Sequence, residues 1–175
     1  MKNIQKVISL FLVSILFINC SSDKKEDTNP TNTFSSNINI NFVNFNPSIS
    51  SSSLYTLLET GINGGQANKR TFYLRKNAAS TNDFNATMEL KITYPIGQTI
   101  IDGTYEISNS NLPVNAIATG QYQNDSSQYI FSSGSIYVTD LGLNKFRVEF
   151  INAKIAPFGS AVETPVTGFC QGTFY

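Results

Sequence analysis

Apolar residues recur at every second position along most of this chain, and that spacing is the strongest limit on its fold. In "ATMELKITY" (86–94), Met88, Leu90, Ile92 and Tyr94 fall on one side and Thr87, Glu89, Lys91 and Thr93 on the other. This is the two-residue period of a strand with one buried face. "TFYLRK" (71–76), "GTYEIS" (103–108), "QYIFSSGSIYVTD" (128–140) and "KFRVEFINAKI" (145–155) repeat the pattern, and "TPVTGFCQGTFY" (164–175) closes the chain as a terminal strand. Ile38, Ile40 and Phe42 alternate with asparagines before Val43 and Phe45 take up the opposite phase, and a second phase change falls near residue 150. Each change predicts a bulge or bend. "SLYTLLE" (53–59) reads as a strand or one helical turn. "GINGGQ", "YPIGQT", "NSNLPVN", "NDSS" and "DLGLN" supply the residues of turns and connections. Beyond residue 19 no segment of helical length shows a 3.6-residue period. The pattern predicts an all-β fold, an antiparallel β-sandwich of about eight or nine short strands, with an up-and-down β-barrel as the alternative.

The first residues follow a different rule. Lys2 and Lys6 precede "VISLFLVSILFI" (7–18), a run without charge. As a helix it would span about 18 Å, short of the ~30 Å of a bilayer core. A basic start, a short apolar middle and an abrupt end are the parts of a secretory signal peptide. The run stops at "FINC" (17–20), followed by "SSDKKED".

That border resembles the lipobox of bacterial lipoproteins, in which the cysteine becomes the first mature residue and carries the lipid. The family usually has Gly, Ala or Ser before the cysteine. This chain has Asn19, a looser form familiar in lipoproteins of the Bacteroidota. The charged segment after Cys20 is similar to the export signals of surface lipoproteins in that phylum, and Ser21 is compatible with outer-membrane sorting. Residues 134–175, with their "GTF" ending, also have the look of small β-rich lipoproteins of flavobacterial surfaces. The resemblance implies lipidation at Cys20 and outer-membrane anchoring, with cell-surface display and a periplasm-facing anchor as the two orientations. Two or three acyl chains on one residue give durable attachment where one chain alone is marginal. The expected organisation is a signal peptide at 1–19, a lipidated cysteine with a flexible tether at 20–36, and a β-sandwich domain at 37–175.

Removing 19 of the 175 residues leaves 156, enough for one domain with a real core. Losing Lys2 and Lys6 takes the 12 basic residues to 10 against 12 acidic ones, a net charge near −2. That balance argues against nucleic acid as a partner, because such binding neutralises phosphates with a basic surface. Histidine is absent, so neither a Ser–His–acid triad nor a histidine metal site is possible. The sequence holds no phosphate-cradling or dinucleotide-binding glycine motif, and no cofactor is expected. Cys170 has no cysteine partner once Cys20 is lipidated, and reads as a small buried hydrophobe.

Binding chemistry is left to a few places. Lys69, Arg70, Arg75 and Lys76 cluster in "KRTFYLRK", and strand alternation puts Tyr73 and Arg75 on one face. A planar cation beside an aromatic ring suits an anionic sugar or headgroup. Tyr122, Tyr129 and Tyr137 are further aromatic candidates. Asp140, Gly142 and Asn144, and Asn124 and Asp125, carry turn chemistry with too few carboxylates for calcium. Glu89 and Glu149, at outward positions of good strands, are the candidate acids of a carboxylate-dependent glycosidase, which needs two across a sugar cleft. The reading is a lipid-anchored, non-catalytic binding or interaction module for a glycan or other envelope ligand. A structural or accessory subunit of an outer-membrane protein assembly is the alternative, and a carboxylate-dependent glycoside hydrolase the least favoured. Protein recovered from membranes is expected to begin at Cys20 and to carry acyl mass by intact mass spectrometry. Cys20→Ala is expected to leave it unacylated.

Overall fold

A computed structural model describes residues 33–80, 85–108 and 117–175. The signal peptide, Cys20, the tether up to residue 32 and the connection 109–115 lie outside the described residues. The fold is all-β, and its eleven strands form one sheet. They are β1 (Ser35–Ser36), β2 (Ile38–Ile40), β3 (Val43–Phe45), β4 (Leu54–Gly61), β5 (Ala67–Lys76), β6 (Ala86–Pro95), β7 (Gly103–Ile107), β8 (Ile117–Asn124), β9 (Gln128–Asp140), β10 (Lys145–Pro157) and β11 (Thr164–Thr173). A single helical turn, Ile62–Gly65, joins β4 to β5, with Asn63 and Gly64 left-handed. The segment read as strand or helical turn at 53–59 is therefore a strand. Because β1 belongs to the sheet and Phe34 packs on Phe174, the folded part starts before Asn37.

The order is β3-β2-β11-β10-β9-β7-β8-β6-β5-β4, with β1 on β11. Among the described strands every pairing is antiparallel except β7–β8. The sheet is thus mixed, and its strands exceed the eight or nine expected because the first phase change divides β2 from β3 and Ser35–Ser36 adds β1. One half of β9 pairs with β8 through Gln128–Ile130, and the other half with β7 through Ser135–Val138. β7 is wedged between them, which a hairpin pattern in sequence does not reveal.

The layers of a sandwich come from this one sheet doubling over. Phe72 of β5 meets Phe146 of β10 and Phe174 edge to face, each with centroids 5.2 Å apart. Phe45 of β3 meets Tyr122 of β8 at 5.9 Å. These strands are not neighbours in the ladder, so the contacts cross the interior. The barrel alternative is not what forms: the sheet is open, with β3 and β4 at its ends. A two-bond backbone bridge, Tyr175 N to Leu54 O at 3.0 Å and Thr56 N to Tyr175 O at 2.9 Å, ties β4 to the C-terminus. Ile38, Leu54, Phe72, Leu74, Met88, Ile92, Ile136, Val148 and Ile155 are wholly buried. Each large apolar side chain of this kind contributes about 1.5–3 kcal/mol by leaving water.

Both phase changes have local causes. The first is a two-residue hairpin turn, with Asn41 at φ 49 and Phe42 at φ 65 between the paired residues Ile40 and Val43. Left-handed backbone at both central positions is what a type I′ turn requires. The second is a bulge in β10, where pairing shifts between Phe150 and Ala153 and Asn152 sits at φ 50. Gly134 of β9 faces that bulge with φ +93, and a Cβ there would stand 2.3 Å from the Asn152 carbonyl oxygen. Gly134→Ala is expected to destabilise the domain by at least about 2 kcal/mol, from left-handed strain plus overpacking, measured as a lower urea midpoint.

Candidate functional site

Strand alternation divides the basic cluster of β5. Phe72 and Leu74 point into the core, and Arg70 shares their phase. Its guanidinium lies 5.2 Å from the centroid of Phe146, and its buried Nε has no hydrogen-bond partner among the described residues. Arg70 is therefore not part of one surface with Lys69, Arg75 and Lys76. Lys69 sits on the outer face and pairs with Glu59 at 2.7 Å. Lys76 ends the strand.

Tyr73 and Arg75 do share the outer face, and a residue the sequence reading missed completes their group. Tyr55, the β4 partner of Tyr73, stacks on it with centroids 4.5 Å apart and planes at 15°. Arg75 Nη2 donates to the Tyr55 hydroxyl at 2.7 Å, and the guanidinium stands 5.1 Å from the Tyr55 ring and 6.0 Å from that of Tyr73. Burial, then the Glu89 carboxylate, raises the Tyr73 phenol above its usual range. The cation is thus already held by two rings and a hydroxyl, at an exposed site where such a contact is worth about 0.5–1 kcal/mol.

The two glutamates are not brought together. Glu89 of β6 accepts from Gln121 at 2.8 Å and pairs with Lys91 at 2.6 Å. Glu149 of β10 pairs with Arg147 at 3.1 Å, whose guanidinium lies 3.6 Å over the ring of Phe169. β9, β7 and β8 lie between β10 and β6 in the sheet order. Tyr137, opposite Glu149 on β9, is partly exposed. Asp140 accepts from the Gly142 amide at 2.9 Å, and Asn124 Oδ1 accepts from the amides of Ser126 and Ser127, so both loops spend these oxygens on their own turns.

The concave feature is a groove of about 220 Å³ at the end of the fold where the β2–β3 hairpin meets β8, β9, β10 and β11. Ile40 and Ile155 line it with Phe45, Tyr122 and Tyr129, and Asn41, Asn44, Asn124 and Thr164 add amide and hydroxyl groups. Tyr122 and Tyr129 are register partners across the β8–β9 hairpin with centroids 5.8 Å apart. Their facing positions on either side of "NDSS" were legible. That β3 would close over them from the far edge of the sheet was not. Burial raises the Tyr122 phenol above its usual range, and a hydrogen bond with the Asn124 side chain partly offsets it. Since the turn uses Asn124 Oδ1, the amide nitrogen is the group left for that bond. Among the described residues no charged side chain lines the groove. Its chemistry is aromatic faces with neutral donors and acceptors, suited to a small uncharged polar ring.

Cys170 is wholly buried among core residues of β11. Burial pushes its thiol up to about 12 from an ordinary 9.0, so it is not a nucleophile near neutrality. No protein-family model matches the chain, and no curated protein or solved structure matches it.

Cys170 is expected to resist iodoacetamide in the native protein and to react fully in denaturant. Tyr73, Tyr105 and Tyr122 are raised by burial in the same direction as Cys170. Above about pH 9 the unfolded chain therefore releases protons that the native state keeps, and stability falls as pH rises. Urea midpoints measured between pH 8 and pH 11 are expected to decrease steadily.

Proposed function

We propose that this chain is a lipid-anchored lipoprotein of a bacterial outer membrane, displayed at the cell surface. In this reading it binds without catalysis and holds a glycan ring in the groove between the β2–β3 hairpin and the β8–β9 hairpin. One observation carries the ligand class: the groove combines three aromatic side chains with neutral amides and a hydroxyl, and has no charge. Sugars offer apolar ring faces to the first and hydroxyls to the second. The groove is smaller than the ~300 Å³ at which drug-sized sites begin, which fits one ring rather than a large cofactor.

The direction of the chain sets its N-terminal entry apart from the groove. Phe34 stands beside Gly172 at one end of β11, while the Asn41 amide bonds to Pro165 at the other. Seven residues of strand separate these points, roughly 23 Å. Phe34, near the start of the described chain, thus lies at the end of β11 remote from the groove.

A second reading, an accessory subunit of an outer-membrane protein assembly, is favoured by a specific surface. Among the described strands β3 is an edge, and near it Phe42 is 91% exposed and Val43 58%. An unpaired edge with apolar side chains can take a strand from a partner.

A glycan array probed with the mature chain, made unlipidated by Cys20→Ser, separates the two readings. Binding that falls at least about tenfold in Tyr129→Ala and is unchanged in Arg75→Ala supports the groove. Loss only in Tyr73→Ala or Arg75→Ala moves the site to the outer face of β5. A silent array together with one co-purifying envelope protein supports the accessory subunit.

A further inference from the structure

The groove does not end at Asn124. A second cleft of about 320 Å³ begins at the same residue and is bounded by Asn85, Ala86, Thr87, Gln123 and Asp125. Tyr122 and Ala86 point into the core, whereas Gln123 and Thr87 are more open and of opposite phase. The second cleft therefore crosses the rim of the sheet from its inner face to its outer one. Asp125 holds its margin by accepting from the Asn85 amide at 3.0 Å, and the exposed Gln123 amide borders the opening.

The register continues the path. Gln123 pairs with Thr87, and Thr87 with Arg75. Two strand spacings, about 10 Å, separate Gln123 from Arg75, whose guanidinium stands against the stacked Tyr55–Tyr73 pair. Aromatic groove, polar cleft with the Asp125 carboxylate, and aromatic platform with Arg75 thus follow one another across the rim.

We infer that the ligand is an uncharged oligosaccharide rather than a single sugar. One ring occupies the aromatic groove and the next the cleft beyond Asn124, with the chain directed toward Arg75. The inference rests on the groove being a sugar site, and adds to it length and charge. The groove has no cation to hold a uronic acid or sulfate, and Asp125 in the cleft would repel one. Asn124 stands between the two subsites. Its oxygen is held by the turn and its amide nitrogen bonds to the Tyr122 hydroxyl, so the second amide hydrogen is the one left for a bridging hydroxyl.

The test is calorimetric titration of the unlipidated mature chain with cello-, malto-, xylo- and manno-oligosaccharides of one to six rings, and with oligogalacturonides. Gln123→Ala, an exposed change, and Tyr129→Ala are compared with the parent. Affinity for one neutral series should rise at least about tenfold between one and three rings. Gln123→Ala should lower affinity for three rings about fivefold, a hydrogen bond's worth, and leave the single sugar unchanged. Oligogalacturonides should not bind. Binding that is independent of length, or untouched by Gln123→Ala but lost in Tyr129→Ala, overturns the extended site and leaves the groove standing. Preference for oligogalacturonides overturns the neutral class. No binding to any series removes the extended site together with the glycan reading.

Discussion

The contact on which the rest depends is the aromatic wedge of Phe72, Phe146 and Phe174. It joins β5 to β10 and the C-terminus across the interior. Nothing in the hydrogen-bond ladder requires those strands to meet, because several others lie between them in the sheet. The energy comes from burying three phenyl rings in edge-to-face geometry, which adds about 0.5–1.5 kcal/mol per pair beyond area burial. Once the sheet has doubled over, Tyr175 can bond to Leu54 and Thr56, and β3 can reach Tyr122. The groove is a consequence of that closure.

The two surfaces rich in aromatic and polar groups differ in what they leave free. On the outer face of β5, Arg75, Tyr55 and Tyr73 satisfy one another. Binding there would exchange existing contacts for new ones. In the groove the rings are walls, with amide and hydroxyl groups at its margin. Preorganised, concave and uncharged, the groove has the better claim to a ligand. The inward phase of the half-buried Arg70, with its guanidinium over Phe146, removes one of the four cations that made the β5 cluster look like an anion site.

Much of this was legible. The alternation in 86–94 marked β6, the span 128–140 matched β9, and both phase changes fell where the backbone turns or bulges. The inward phase of Arg70 could also be read, since it stands two residues from Phe72, but the charge count drew attention to the cluster instead. Tyr55 was hidden because 53–59 is mostly apolar and shows no clean alternation. Its stacking on Tyr73 depends on the β4–β5 register. The division of β9 between β8 and β7 has no local signature, because the choice of partner is made by the path of the whole sheet.

By itself the sequence determined the class of structure and its chemical limits. A two-residue period permits one buried face per strand, and a chain without histidine has no triad base. Its leader resembles that of a lipoprotein, which points to an envelope address. Tertiary structure alone decided that the strands form one doubled sheet and that β3 closes over Tyr122 and Tyr129. It also decided that the cations of β5 divide between core and solvent. The physical reason is that periodicity is local, whereas a concave surface arises from residues far apart in the chain that meet only when aromatic burial folds the sheet over.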